Sequence, residues 1–262
     1  MYVEKDSLSG LALRRVGSRL EVRESVPSTM DLAWELALAG APPGTVAVAA
    51  RQTKGRGRFG RVWESPPGGL WLSVLLDHPG EAYPAGAVPI AGALAIASTA
   101  AELAGLDARI RWPNDCMVAG RKFAGVLAES RRQNDGREKL VLGAGIDVNV
   151  RRESLEFGVR ALATSFVEET GREFDLAAVL ASFLSHLDRL LELLAAGGLA
   201  EFEKAWTLRS STLGRRVRIE TPGGARIGTV VEITLAGGIT IEEGGFRKTY
   251  RGEHVSLLGE LA

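Results

Sequence analysis

The chain has 262 residues, 45% hydrophobic and 24% charged, which suits one large globular domain with room for a small second one. Lysine plus arginine equals aspartate plus glutamate at 32 each, so a general nucleic-acid binder with its basic excess is disfavoured, and any positive site must be local. The single cysteine, Cys116, excludes an internal disulfide and a cysteine-built metal site. With an N-terminus (MYVEKDSLSG) that lacks a basic segment ahead of an apolar core, this sets the expectation of a cytoplasmic protein.

In chain order, Arg19 to Val26 alternates and predicts a strand. Ser28-Thr-Met-Asp31 has the form of a capping-box start, and Leu32, Trp34, Leu36 and Leu38 follow in a predicted helix that Ala41-Pro-Pro-Gly44 ends. Val46 to Ala50 and Leu70 to Leu76 read as buried strands on either side of a glycine–arginine loop. Ala85 to Leu106 is apolar for some twenty residues, but Pro89, Ser98, Thr99 and Glu102 and its many alanines make it a core helix over about 86–105 rather than a membrane span. Ala108 to Trp112, Lys122 to Glu129 and Leu140 to Val150 predict three more strands, with Asn134-Asp-Gly136 as a hairpin signal between the last two. Helices are predicted near 175–195 and 199–208. After about Ser211 the texture changes to short strands: Arg215 to Ile219, Ile227 to Thr234, Ile239 to Glu242, Phe246 to Tyr250 and His254 to Leu258. Turns at Thr221-Pro-Gly-Gly224, Leu235-Ala-Gly-Gly238 and Glu243-Gly-Gly245 separate them. The expected fold class is α+β, a mixed sheet with helices over 1–210, followed by a small β-barrel over 211–262.

The chemistry is concentrated in a few stretches. Gly55, Gly57 and Gly60 in KGRGRFGR fit the pattern G-x-G-x-x-G, but Pro66, Pro67, Gly68 and Gly69 follow and then a strand, so no helix opens to meet a pyrophosphate. A P-loop is absent as well. What remains is a loop of backbone N–H donors with Arg56, Arg58 and Arg61, suited to phosphate or carboxylate or simply to solvent. Trp112-Pro-Asn-Asp115 has the residues of a turn. Lys122 opens an otherwise apolar strand that contains Gly125, and Gly143 and Gly145 lie in the next. Glycines inside paired strands mark a bulge, tight packing or a floor against which a flat ligand lies.

Taken together and in order, Ser28-Thr29, Gln52, GRGRFGRVW, RWPND, RKFAGVL and GAGIDVNV resemble the biotin–protein ligases. The resemblance covers about residues 20–210, and the C-terminal barrel matches the family architecture as an SH3-like barrel behind a class II synthetase-like catalytic domain. Many members carry an N-terminal DNA-binding winged helix. The segment ahead of Ser28 is short, so the sequence resembles the monofunctional form, and no nucleic-acid or membrane partner is expected.

The resemblance implies that biotin and MgATP give biotinyl-5′-AMP, and that the biotinyl group then passes to a lysine of a biotin carboxyl carrier protein. It implies that Ser28, Thr29, Met30 and Gln52 face biotin. Gly55, Arg56, Gly57 and Arg58 would wrap carboxylate and phosphate, and Gly125, Leu127 and Gly143 would line an apolar floor. Arg56, Arg58, Trp63, Asn114 and Lys122 would meet ATP, with Lys122 and Arg58 at the reacting atoms. Asp115 would help hold Mg²⁺. Met30 and Asp147 stand where many relatives have asparagine. The nearest rival is a lipoate ligase, and the rival from another class is a nucleic-acid-binding module. The acceptor's identity and the oligomeric state are left open, with a homodimer as the assembly to test.

Overall fold

The computed structural model describes residues 3, 4, 6–133, 136–221, 223–235, 238–251 and 256–261. Strands β1 (Arg19–Val26), β2 (Thr45–Gln52), β3 (Leu70–Asp77), β4 (Arg109–Arg111), β5 (Asp115–Val118), β6 (Arg121–Arg132) and β7 (Glu138–Ile146) form one seven-stranded sheet. Its order is β1-β2-β3-β7-β6-β5-β4. β1 and β2 run parallel and the remaining pairs antiparallel, so the sheet is mixed and the fold α+β, as expected. Asn134 and Asp135 of the hairpin signal lie outside the described residues, but the strands they join do pair.

Both faces of β2, β3 and β7 are covered over most of their length, which is why these strands read as nearly continuous apolar runs. Alternation divides each strand between the two faces. Val46, Val48, Leu70, Leu72, Val74, Leu140 and Leu142 join one large cluster under helices α2 (Ala87–Ala104) and α5 (Leu176–Ala195). Ala47, Ala49, Leu75 and Val141 point the other way, under α1 (Thr29–Leu38). Helix α2 is long and apolar enough to cross a membrane, but here it packs on β6 and β7 with α5 behind it. Its small side chains permit that depth: a Cβ on Gly92 would stand 3.0 Å from Val126 Cγ1. Gly105 ends α2 in the left-handed region, donating to the Ala100 and Ala101 carbonyls.

Two predictions of extent need correction. The predicted turn ends in a strand: Asp115 and the next three residues, for which no element was predicted, form β5, which returns to β6 through Ala119 and Gly120, both at positive φ. Strand β7 ends at Ile146, short of Val150. Past it Asp147 N–H reaches the Phe123 carbonyl at 2.8 Å and Asn149 N–H the Gly68 carbonyl at 2.8 Å. Residues 152–170 hold a 3₁₀ turn and two short helices, α3 (Phe157–Arg160) and α4 (Phe166–Thr170), for which no element was predicted.

The second sheet comprises β8 (Arg216–Thr221), β9 (Gly224–Thr234), β10 (Gly238–Glu243), β11 (Phe246–Tyr250) and β12 (Ser256–Leu261), all antiparallel in the order β11-β10-β9-β8-β12. Pro222, Ala236, Gly237, His254 and Val255 of the predicted turns and last strand lie outside the described residues. The inner side chains Val217, Ile219, Val230, Ile233, Ile239 and Ile241 belong to the same apolar cluster as α2 and α5. Helix α6 (Leu199–Arg209) leads into this sheet, and Ser211 N–H then bonds the Ile110 carbonyl at 2.9 Å while Thr212 Oγ1 accepts from Trp112 N–H at 2.9 Å.

One buried charge ties the N-terminal segment down. Asp188 on α5 accepts from the backbone N–H groups of Arg14, Arg15 and Val16 at 2.7–3.2 Å and is almost fully buried.

Candidate active site

The face of the sheet that α1 leaves uncovered carries a cleft of about 410 Å³. Its floor follows from register. Gly125 of β6 stands directly opposite Gly145 of β7, and Gly143 lies opposite both Ser73 of β3 and Leu127 of β6. The three glycines expected to form a floor therefore do meet on one face. Three side chains lie on it, those of Trp63, Met30 and Lys122, the last with its Cε and Nζ 3.2 Å from where a Cβ on Gly125 would stand. A Cβ on Gly145 would be 2.5 Å from Trp63 Nε1, one on Gly125 would be 3.3 Å from Trp63 Cζ3, and one on Gly143 would be 2.9 Å from Met30 Sδ. Any side chain at these positions would lift the indole or the thioether off the sheet.

A polar lattice closes one end. Ser28 caps α1, its Oγ accepting from Met30 N–H at 3.3 Å. Thr29 donates from N–H and from Oγ1 to Gln52 Oε1 at 2.8 and 3.1 Å, and its Oγ1 lies 2.9 Å from Ser73 Oγ. Gln52 Nε2 in turn donates to Ser65 Oγ at 2.8 Å. Ser28, Thr29 and Gln52 are thus brought together as expected. Ser65 and Ser73 were missed, and the signal available was Ser73 as the one polar residue inside LWLSVLL.

The glycine–arginine loop is a small hairpin. Arg56 bridges Val62, Gly57 N–H bonds the Arg61 carbonyl at 2.7 Å, and the tip at Arg58–Gly60 holds Phe59 at φ 58°. Gly55 is required there, because a Cβ would come 2.3 Å from the Trp63 carbonyl, whereas Gly57 has no such contact. Arg56 was expected to wrap an anion. Its guanidinium is instead held by Asp31 at 2.8 Å and Glu129 at 3.0 Å, which anchors the hairpin to α1 and β6. Burial alone would lower the Arg56 pKa, and the two carboxylates more than offset it. Arg58 lies further in, where burial lowers its guanidinium from its ordinary value, Asp115 opposes that and Arg61 adds to it.

Lys122 stands at the other end. Its Nζ is 2.5 Å from Asp115 Oδ1 and 4.9 Å from the centroid of the Trp63 ring. A bulge aims it there. Between β5 and β6 the register slips so that Cys116 pairs Ala124 while Met117 pairs Lys122. The extra residue, Phe123, turns into the core against Phe166, and Lys122 turns into the cleft. The segment from Leu162 to Thr164 fixes this end, with Lys122 N–H to the Leu162 carbonyl at 2.8 Å and Thr164 N–H to the Lys122 carbonyl at 2.9 Å.

Asp115, expected to hold Mg²⁺, has both oxygens paired, Oδ1 with Lys122 and Oδ2 with Arg111 at 2.9 Å. Burial pushes its carboxyl up, but Lys122 and Arg111 outweigh this and leave it below the usual range. Among the described residues no group of three or more His, Cys, Asp or Glu could hold a metal ion. Asn114, expected at the nucleotide, directs its Nδ2 to the Val126 carbonyl and so pins the Pro113–Asp115 turn onto β6. Asp147 also lines the cleft and was noted in the sequence only as a departure from asparagine.

The model of the biotin/lipoate A/B protein ligase family matches residues 22–147. The "Bifunctional ligase/repressor BirA" of Bacillus subtilis is 31% identical over 251 residues, spanning 94% of this chain and 77% of that protein. This chain belongs to the biotin/lipoate A/B protein ligase family. A "Biotin--[acetyl-CoA-carboxylase] ligase" of Mycobacterium tuberculosis is 30% identical over 233 residues, covering 86% of this chain and 83% of that one. Among solved structures, the biotin protein ligase from Aquifex aeolicus in complex with biotin and ATP superposes with a TM-score of 0.81 at 30% identity, covering 92% of this chain and 99% of the other.

Proposed function

We propose that this chain is a biotin–protein ligase that adenylates biotin and passes the biotinyl group to a lysine of a biotin carboxyl carrier domain. The observation that carries the reading is the cleft itself: a lattice of neutral hydrogen-bonding groups at one end, a glycine floor, and Lys122 at the other end. A neutral ureido ring suits Ser28, Thr29 and Gln52, the apolar body of biotin suits Met30, Leu127 and the floor at Gly143, and its carboxylate would then point at Lys122.

In the first step a carboxylate oxygen attacks the α-phosphorus of ATP, forming the acyl–phosphate bond as the bond to pyrophosphate breaks. Two anions must meet, so preorganised cations are the main requirement. Lys122 and Arg58 supply them, at the end of the cleft beside the glycine–arginine hairpin. In the second step the acceptor's ε-amine attacks the acyl carbon, AMP leaves with the electron pair, and the amine's proton passes to solvent. No covalent enzyme intermediate is needed.

Mg²⁺ would neutralise phosphate charge, with most of its oxygens coming from ATP and water. Asp115 could contribute one oxygen only by giving up a cation partner. Asn114 would act chiefly by holding the turn beneath the nucleotide, and Trp63, which itself rests on Gly125 and Gly145, by lining the nucleotide side of the cleft. The C-terminal sheet, with bulges in β9 and β12, is compatible with an SH3-like barrel and is continuous with the catalytic core.

Exchange of labelled pyrophosphate into ATP tests the reading. It is expected to require biotin and Mg²⁺ and to fall at least tenfold with lipoate in place of biotin. Equal exchange with lipoate, or none with either acid, would overturn it.

A further inference from the structure

A second hollow, of about 570 Å³, adjoins the cleft, and Arg111, Met117 and Gly120 line both. Register explains the continuity. On the outermost strands Arg109 stands opposite Met117 and Arg111 opposite Asp115, while Ile110 and Cys116 between them turn into the core. The cleft face of the sheet therefore runs on to its edge at β4, where it presents two arginines. The segment that leads from α6 into the second sheet closes the hollow. Ser210 bridges Ile110, Ser211 N–H bonds the Ile110 carbonyl at 2.9 Å, and Arg215 N–H bonds the Thr212 carbonyl at 3.1 Å.

The side chains of this hollow are set to donate. Arg109, Arg111 and Arg215 line it, and among its described lining residues there is no carboxylate. Asp107 and the Leu208 carbonyl hold the Arg109 guanidinium at 3.0–3.2 Å, and Asp115 takes one nitrogen of Arg111 at 2.9 Å, which leaves further N–H groups on both. Among the described residues no hydrogen bond or ion pair engages the Arg215 guanidinium. Ser210 Oγ accepts from the Thr212 and Leu213 N–H groups at 3.2 Å each, so both its lone pairs are used and its proton is left to donate. In a chain with no net charge, this is a local concentration of cations and donors.

We propose that this hollow receives the pyrophosphate that leaves ATP, and that Arg109, Arg215 and Ser210 are its ligands together with Arg111. This rests on the reading of the cleft as an adenylation site, with the ureido ring at Ser28 and Gln52 and the carboxylate at Lys122. The polar lattice, the glycine floor, Lys122, Asp115 and the two arginines follow one another across the sheet, from β2 and β3 through β7, β6 and β5 to β4. Displacement at phosphorus is in line: a carboxylate oxygen supplies the electron pair of the new P–O bond, and the α–β bridging oxygen departs on the opposite side with the pair of the broken one. A nucleophile that arrives from the β3 side thus drives the leaving group toward β4. That group is a multiply charged anion, and guanidiniums with a donating hydroxyl match it. Arg111 joins the two compartments, since it pairs with Asp115 in the cleft and also lines the hollow.

The test runs the first step backwards, forming ATP and biotin from preformed biotinyl-AMP and magnesium pyrophosphate. Arg215→Ala is expected to raise the half-saturating pyrophosphate concentration about tenfold, the size of losing one charge-assisted contact, and Arg215→Lys to recover part of it. Arg109→Ala should act in the same direction; if it does not fold, the two Arg215 variants carry the comparison. Affinity for biotinyl-AMP, and the rate at which its acyl group passes to the carrier lysine, should stay within about twofold in Arg215→Ala, since neither involves the leaving group. A half-saturating concentration unchanged in Arg215→Ala overturns the proposal. So does a slower transfer with pyrophosphate use intact, which would mark the hollow as a dock for an acidic face of the acceptor domain. Equal losses in all three measurements would overturn it too, by showing that Arg215 only supports the fold. No ATP formation by the wild-type protein would overturn the adenylation reading and the hollow's role with it, a failure distinct from ATP formation that is indifferent to Arg215.

Discussion

Replacing Lys122 by alanine is expected to slow formation of biotinyl-AMP by about 10²–10³-fold, the scale of removing one preorganised donor from a developing charge. The side chain lies at the end of the cleft 2.5 Å from Asp115, with the Trp63 ring beside it. Removing it leaves Asp115 to face the incoming carboxylate and phosphate with Arg111 as its remaining partner, so a repulsive group becomes less well neutralised as the attractive one is lost. Single-turnover formation of the adenylate measures the effect, with circular dichroism as the control for folding. A loss under tenfold in a folded variant would make Lys122 a structural residue. Lys122→Arg keeps the charge on a longer, planar head and is expected to recover part of the rate.

Asp188→Ala is expected to lower stability by about 3–4 kcal/mol, because three backbone N–H groups lose a charged acceptor at once. In a chain of this length that is roughly a 10 °C fall in Tm. Asp188→Asn retains an acceptor and should lose less than half as much. A thermal melt of both variants checks this, and a change under 1 kcal/mol for Asp188→Ala would mean that residues 14–16 find other partners.

The sheet and the long helices were legible because burial leaves a simple signature: apolar runs for strands covered on both faces, and an amphipathic period for α5. The members of the polar lattice at Ser28, Thr29 and Gln52 were legible through the family motif. What was not legible depends on distant contacts. Strict alternation along Lys122 to Glu129 would put Lys122 on the α2 face with Ala124 and Val126; only the one-residue slip against β5 reverses it, and such a slip carries no local mark. The wall from Leu155 to Ala163 holds only the single-turn helix α3, too short for a period to read, and is held by Lys122 and by Glu64. Arg56 looked like an anion ligand because arginine beside glycine suits that role. Its commitment to Asp31 and Glu129 arises from residues 25 and 73 positions away.

Cys116 gives the molecule a built-in reporter of its own opening. It is the single thiol in 262 residues, has no exposed surface, and lies with its Sγ 3.5 Å from the Ala93 carbonyl beneath α2. Burial, reinforced by Asp115 and only partly opposed by Lys122 and Arg209, pushes the thiol pKa up, so the reactive thiolate is suppressed in the native state. Alkylation therefore requires α2 to part from the β5–β6 hairpin. The labelling rate, divided by that of the denatured chain, reads the free energy of that event directly. Because Asp115 is the adjoining residue on the same strand, occupancy of the cleft should slow labelling without any probe being attached. Iodoacetamide modification that proceeds at the denatured-chain rate in the native protein would show that this part of the core opens freely.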